Sequence, residues 1–212
     1  MPEHIALLGD SIFDNRAYTN GDPDVVTHLR SMLPDGWTAT LHAVDGATVA
    51  GLPRQVATLP ANPSHLVVAI GGNDALQNID LLDLKVRSSG EAFLICADRL
   101  AAFERDYRAA VDRLACLGRP LTLCTIYNGA LNGDTARAAR IGLMLFNDVI
   151  LRTAFERRAD VIDLRSVCSD AADYANPIEP SGVGGRKIAA AIAVAVGAVR
   201  GAGSPARVWA GA

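Results

Sequence analysis

The sequence alternates short, continuous apolar runs with longer stretches of helical spacing, and that alternation restricts the chain to few architectures. Ile5-Ala6-Leu7-Leu8, Leu66-Val67-Val68-Ala69-Ile70 and Leu121-Thr122-Leu123-Cys124-Thr125-Ile126 each read as a buried parallel strand. Thr38 to Val44 and Asp160 to Asp163 are two further strand candidates. Between them, Asp24 to Leu33 and Glu91 to Leu117 are spaced as helices; Gly118 closes the second. Another helix is expected from Asp134 or Thr135 through Arg158, and a last one over Ile188 to Val199. Such alternation implies a parallel sheet of about five strands with helices on both faces. With 212 residues, 50% of them hydrophobic, the chain can fill one sizeable core. Residues 1–200 are therefore expected to be a single domain, and 201–212, with its Gly, Ser and Pro, a flexible tail.

Three of the strand candidates end in residues with chemistry. Gly9-Asp10-Ser11 follows the first, Asp45-Gly46-Ala47 the second, and Gly71-Gly72-Asn73-Asp74 the third. In an open parallel sheet the carboxyl ends of the strands line the ligand crevice. A hydroxyl nucleophile, a bare backbone N–H and a side-chain amide are the parts that attack an acyl carbonyl and hold its oxyanion. Each block alone is also an ordinary turn. Asp10 would shape the serine turn, and Asp74 would fix the Asn73 loop.

In block order, these residues resemble the SGNH (GDSL-type) hydrolases. The resemblance implies a flavodoxin-like three-layer α/β/α sandwich, with Ser11 as nucleophile. It assigns the oxyanion hole to the Ser11 N–H, the Gly46 N–H and the Asn73 side chain. It also implies an esterase or lipase-like acylhydrolase acting on a small-molecule ester, with no metal or organic cofactor called for. The fourth block departs. The family carries Asp-x-x-His before its last helix, whereas this chain has Asn176-Pro177-Ile178-Glu179, making it an atypical member with Glu in place of the catalytic His.

All four histidines (His4, His28, His42, His65) lie in the first third of the chain. His4 and His65 precede strands, and His42 is expected inside one. His28, on the helix after the Ser11 loop, is the least implausible substitute. Glu179 can serve as a base if burial raises its pKa, with Asn176 donating a hydrogen bond that positions it. Its bland reading is a solvated or helix-capping acid in a protein that has lost turnover and keeps a binding or regulatory role. Asp170 and Asp173 are lower-ranked candidates, as loop acids more often stabilise turns.

Net charge of -3 offers no basic stripe for nucleic acid. The four cysteines, Cys96, Cys116, Cys124 and Cys168, lack metal-ligand spacing and default to buried free thiols. No apolar stretch reaches membrane length, and no basic, apolar leader precedes the first strand, which predicts a cytoplasmic protein. Leu76 to Gly90 is expected to be a plain surface loop rather than a lip over the acyl pocket. Few aromatics, 5%, point away from sugars and bases and towards short-chain esters. A phosphate site is disfavoured, since the Ser11 loop lacks a run of Ser, Thr and Gly. Oligomeric state is not legible.

Overall fold

The computed structural model describes residues 3–201 and 208. Its strands are β1 (Glu3–Gly9), β2 (Trp37–Leu41), β3 (His65–Ala69), β4 (Leu121–Cys124) and β5 (Asp160–Ile162). All neighbours pair in parallel, in the order β2-β1-β3-β4-β5. The helices are α1 (Val25–Met32), α2 (Leu52–Val56), α3 (Gly72–Leu76), α4 (Ser89–Ala115), α5 (Gly133–Arg157), α6 (Leu164–Val167) and α7 (Gly182–Ala195). Apart from Gly201 and Val208, the expected tail lies outside the described residues.

Side chains alternate across a strand, so each strand feeds two cores. Ile5 and Leu7 of β1 join Val67, Ala69, Cys124 and Ile162 beneath α1 and α7. Ala6 and Leu8 join Leu66, Val68, Leu121 and Leu123 beneath α4 and α5. The result is a three-layer α/β/α sandwich. Helix α4 buries Phe103, Tyr107, Ala110, Val111 and Leu114, the three-and-four spacing of a helix face that packs on a sheet.

Several boundaries differ from expectation. Strand β2 stops at Leu41, because His42 and Ala43 both donate to the carbonyl of Leu7 and turn the chain away. His42 therefore lies beyond the strand, not inside it. Helix α7 starts at Gly182, six residues before Ile188, because the Ser181 hydroxyl caps it by accepting from the Gly184 amide. Cys124 and Cys168 are buried, whereas Cys96 is half-buried and Cys116 is exposed just past the end of α4.

The chain order places the site. From β1 the chain moves outward to β2, then crosses back to β3 on the other side of β1. The crevice at this reversal lies between the carboxyl ends of β1 and β3, where ligands bind in such sheets. Gly9 pairs with Ala69, so Ser11 and α3 leave the sheet side by side.

Candidate active site

The turn that carries Ser11 is held by Asp10. Its amide donates to the carbonyl of Ala69 at 3.1 Å, and its Oδ1 accepts from the Ile12 amide at 3.0 Å. Phe13 and Asp14 both donate to the Asp10 carbonyl, each at 3.1 Å. Among the described residues these bonds leave the Ser11 amide without an acceptor, as an oxyanion donor requires. Behind the turn, the buried Gln55 amide donates to the Gly9 carbonyl at 2.7 Å and accepts from the Gly9 amide at 2.8 Å.

The other two blocks are tied to each other. Asn73 Nδ2 donates to the Ala47 carbonyl at 2.9 Å, and its second hydrogen remains available. The Asp74 carboxylate accepts from the Val49 amide at 3.1 Å, which ties the Asn73 helix to the chain just after Gly46. The Gly46 amide has no acceptor among the described residues. Its neighbour Asp45 donates through the backbone to Asp14 Oδ2 at 3.0 Å, linking this loop to the Ser11 turn.

Glu179 reaches the same place from the far end of the chain. It lines one cavity with Ser11, Asp10 and Asn73, whereas Gly46 lines a separate groove and not this cavity. Asn176 acts differently from expectation. Its Oδ1 accepts from the amides of Ile178 and Glu179, each at 2.9 Å, so it shapes the backbone turn instead of donating to the Glu179 side chain. Three further bonds hold the loop: Tyr127 hydroxyl to the Ile178 carbonyl at 2.6 Å, the Ala130 amide to the Pro177 carbonyl at 2.8 Å, and Asn15 Nδ2 to the Pro180 carbonyl at 3.2 Å.

Sequence reasoning missed Asn15 and Gln55. Both act on backbone distant in sequence, and no local spacing marks them. The close approach also needs small residues at the start of α7: a Cβ on Gly184 would stand 2.1 Å from the Asp173 carbonyl oxygen.

Glu179 is 8% exposed, and its Oε2 is buried with no hydrogen-bond partner. Burial raises its pKa above the ordinary carboxylate value, and the Ser11 hydroxyl beside it pulls the other way. The two side chains face each other without forming a hydrogen bond of ordinary distance and angle. Asp10 is 1% exposed, and its Oδ2 also lacks a partner. Burial, with smaller contributions from the Glu179 and Asp74 charges, pushes it from 3.8 up to about 7 against the Ile12 hydrogen bond.

A folded-state pKa raised in this way favours the fold below the unfolded value and loses that contribution as pH rises through about 7. Asp10→Asn keeps the acceptor for Ile12 and cannot ionise. Its melting temperature is expected to exceed that of the wild type by several degrees at pH 8, with the gap closing towards pH 4, as thermal unfolding across pH will measure.

The remaining candidates lie elsewhere. Asp170 and Asp173 pair with Lys187, at 2.7 Å and 2.8 Å, behind α7. His28 sits on α1 against α7, and His65 stacks on Trp37 at the opposite end of β3. His4 and His42 both approach the Thr40 hydroxyl, and His42 also meets Thr58. Among the described residues no histidine lines the cavity.

The cavity measures about 150 Å³, and its walls are mainly apolar, with Ile126, Tyr127, Leu143 and Phe146 from one side. Leu76, Ile79, Leu81 and Leu82 line the other, so part of the Leu76–Gly90 segment is a lip after all. Leu76, Ile79 and Leu82 remain exposed as they line it, so the segment is at once protein surface and cavity rim.

The sequence model of the GDSL-like Lipase/Acylhydrolase family matches residues 7–184, from β1 into α7. The chain belongs to this family. As a GDSL-like protein it is a hydrolase of general esterase or lipase type. No curated protein sequence matches it significantly. Solved structures similar to this GDSL-like chain include phospholipase A1 from Streptomyces albidoflavus, with TM-score 0.71 and 13% identity over 92% of this chain and 100% of that one. An alpha/beta hydrolase enzyme from the metagenome of Lake Arreo, Spain, gives TM-score 0.68 and 21% identity over 94% and 97%. A catalytic mutant of an acetylxylan esterase from Geobacillus stearothermophilus gives 0.67 and 19% over 94% and 97%. At these identities the likeness speaks for the fold.

Proposed function

We propose that this GDSL-like protein is a serine acylhydrolase that cleaves a carboxylic ester through an acyl-Ser11 intermediate, with Glu179 as the base. The observation that carries the reading is the placement of Ser11 and the buried, unpartnered Glu179 carboxyl on one apolar cavity. Burial makes that carboxylate a stronger base than one in water.

Ser11 Oγ attacks the ester carbonyl carbon while its proton passes to Glu179. The carbonyl oxygen becomes an oxyanion held by the Ser11 and Gly46 amides and the free hydrogen of Asn73 Nδ2. On collapse the carbon–oxygen ester bond breaks, and the departing alkoxide takes the proton back from Glu179. Water then gives a proton to Glu179 and attacks the acyl carbon; the bond from that carbon to Ser11 Oγ breaks, and Glu179 returns the proton to Oγ as the acid leaves. The acyl group lies against Ile126, Leu143 and Phe146. An apolar cavity of about this size holds a group comparable to benzene, which suits short to medium acyl chains.

An alkyl fluorophosphonate tests the nucleophile. The expected result is a phosphonyl adduct confined to the Ser11 peptide by mass spectrometry, with 4-nitrophenyl butyrate hydrolysis lost in step. An unlabelled Ser11 in a protein that binds the ester without turning it over would instead make this a binding module.

A further inference from the structure

The outer faces of α4 and α5 change character along their length. In the C-terminal halves, Glu104 pairs with Arg152, Arg108 with Glu156, and Asp112 with Arg157. The first two pairs are 48 residues apart, which sets the helices side by side in parallel register. Carried towards the N-termini, the same register puts Phe93 opposite Ile141 and Ala97 opposite Leu145. Here the charges give way to exposed apolar side chains: Phe93 is 71% exposed, Leu94 70%, Ile141 59% and Met144 51%. Arg99 of α4 bonds Asn78 at 3.1 Å and Asp80 at 3.0 Å, so this strip adjoins the turn Ile79–Leu82. Ile79 and Leu82 are exposed and also line the cavity that contains Ser11. Exposed apolar side chains thus stand on the outer helix face and on the turn that walls the cavity, and α5 packs against that turn. Exposed apolar patches mark interaction sites on proteins in water.

We propose that this face docks on the surface of an uncharged or zwitterionic lipid aggregate, from which an acyl chain slides over Ile79 and Leu82 to Ser11. The docking stands on the surface alone; its purpose rests on the hydrolase reading. That the turn beside this face walls the cavity selects the occupant. A second copy seated here would close the mouth, whereas a lipid surface covers the same residues and supplies what the cavity holds. The flanking charges agree. Arg87 pairs with Glu91, Arg99 with Asp80 and Arg137 with Asp134. Lys85 and Arg140 are matched in number by Asp83 and Asp98, leaving no cationic surplus to select an anionic surface.

The test is sedimentation with sucrose-loaded phosphatidylcholine vesicles, on the full chain, the Ser11→Ala variant and the Phe93→Ser/Ile141→Ser double variant. The first two are expected to partition equally, and the double variant at least about tenfold more weakly. Neither Phe93 nor Ile141 lines the cavity, so the double variant is expected to hydrolyse 4-nitrophenyl butyrate at the wild-type rate. Three results would overturn the proposal: no wild-type binding, binding undiminished in the double variant, or binding only when phosphatidylglycerol is added. A wild-type dimer by light scattering that the double variant dissociates would assign the face to a second copy and overturn it too. Vesicle binding without any ester turnover would leave the docking intact and remove only the hydrolase reading.

Discussion

Ser11→Ala is expected to reduce ester hydrolysis to background, a loss on the order of 10⁴-fold or more, and Glu179→Gln to reduce kcat by about 10²–10⁴-fold. The two numbers differ for a physical reason. Without the hydroxyl no acyl-enzyme forms, whereas the glutamine variant preserves shape and oxyanion donors and loses only the proton acceptor. Stability moves the other way. Glu179 has a raised folded-state pKa, so its favourable contribution is complete below the ordinary 4.5 and is lost as pH rises through the folded value. At pH 7 the glutamine variant therefore unfolds at the same temperature as the wild type or higher. Helix capping is already supplied by Ser181, so an activity loss without a stability loss separates a base from a structural acid. Paired measurements of kcat and melting temperature on both variants check this.

Gly9→Ala is expected to have the largest effect on the fold. Gly9 has φ of +139°, which L side chains rarely adopt, and a Cβ there would stand 1.8 Å from the Ala69 carbonyl oxygen. That oxygen belongs to the neighbouring central strand and accepts from the Asp10 amide, so it has nowhere to move. Strain and overpacking together predict a destabilisation of about 3 kcal/mol or more, a large part of a typical 5–15 kcal/mol, and a fall in melting temperature of roughly 10 °C. Gly46→Ala is the control for stability. Gly46 has φ of +75° with no atom within 4 Å of an added Cβ, so only the backbone strain applies and the fall should be much smaller. Differential scanning calorimetry of both variants decides it.

The sheet and most of its helices were legible because continuous apolar runs and three-and-four spacing both record burial. That Gly9-Asp10-Ser11 and Gly71-Gly72-Asn73-Asp74 meet at one cavity was legible because both sit where the apolar runs stop. What was not legible depends on tertiary placement. Leu76, Ile79 and Leu82 look like a loop in sequence, and only the position of α5 turns them into a cavity wall. Asn15 and Gln55 make long-range bonds to backbone atoms, which any polar residue could offer on paper. The chemistry of Asn176 allows it to donate or to accept, and only the turn at Pro177 aims its oxygen at two backbone amides. His42 looked like part of a strand, since β-propensity does not record the turn into the Leu7 carbonyl.

The claim that Glu179 activates Ser11 is tested most directly by the pre-steady-state nitrophenolate burst, which reads acylation alone, followed across pH in the wild type and in Glu179→Gln. The prediction is a wild-type acylation rate that rises with pH through a midpoint above the ordinary carboxylate value of 4.5, and a glutamine variant that is slow at every pH with that midpoint gone. Equal burst rates in the two proteins, or the same midpoint in both, would contradict it and send the search for the base away from Glu179.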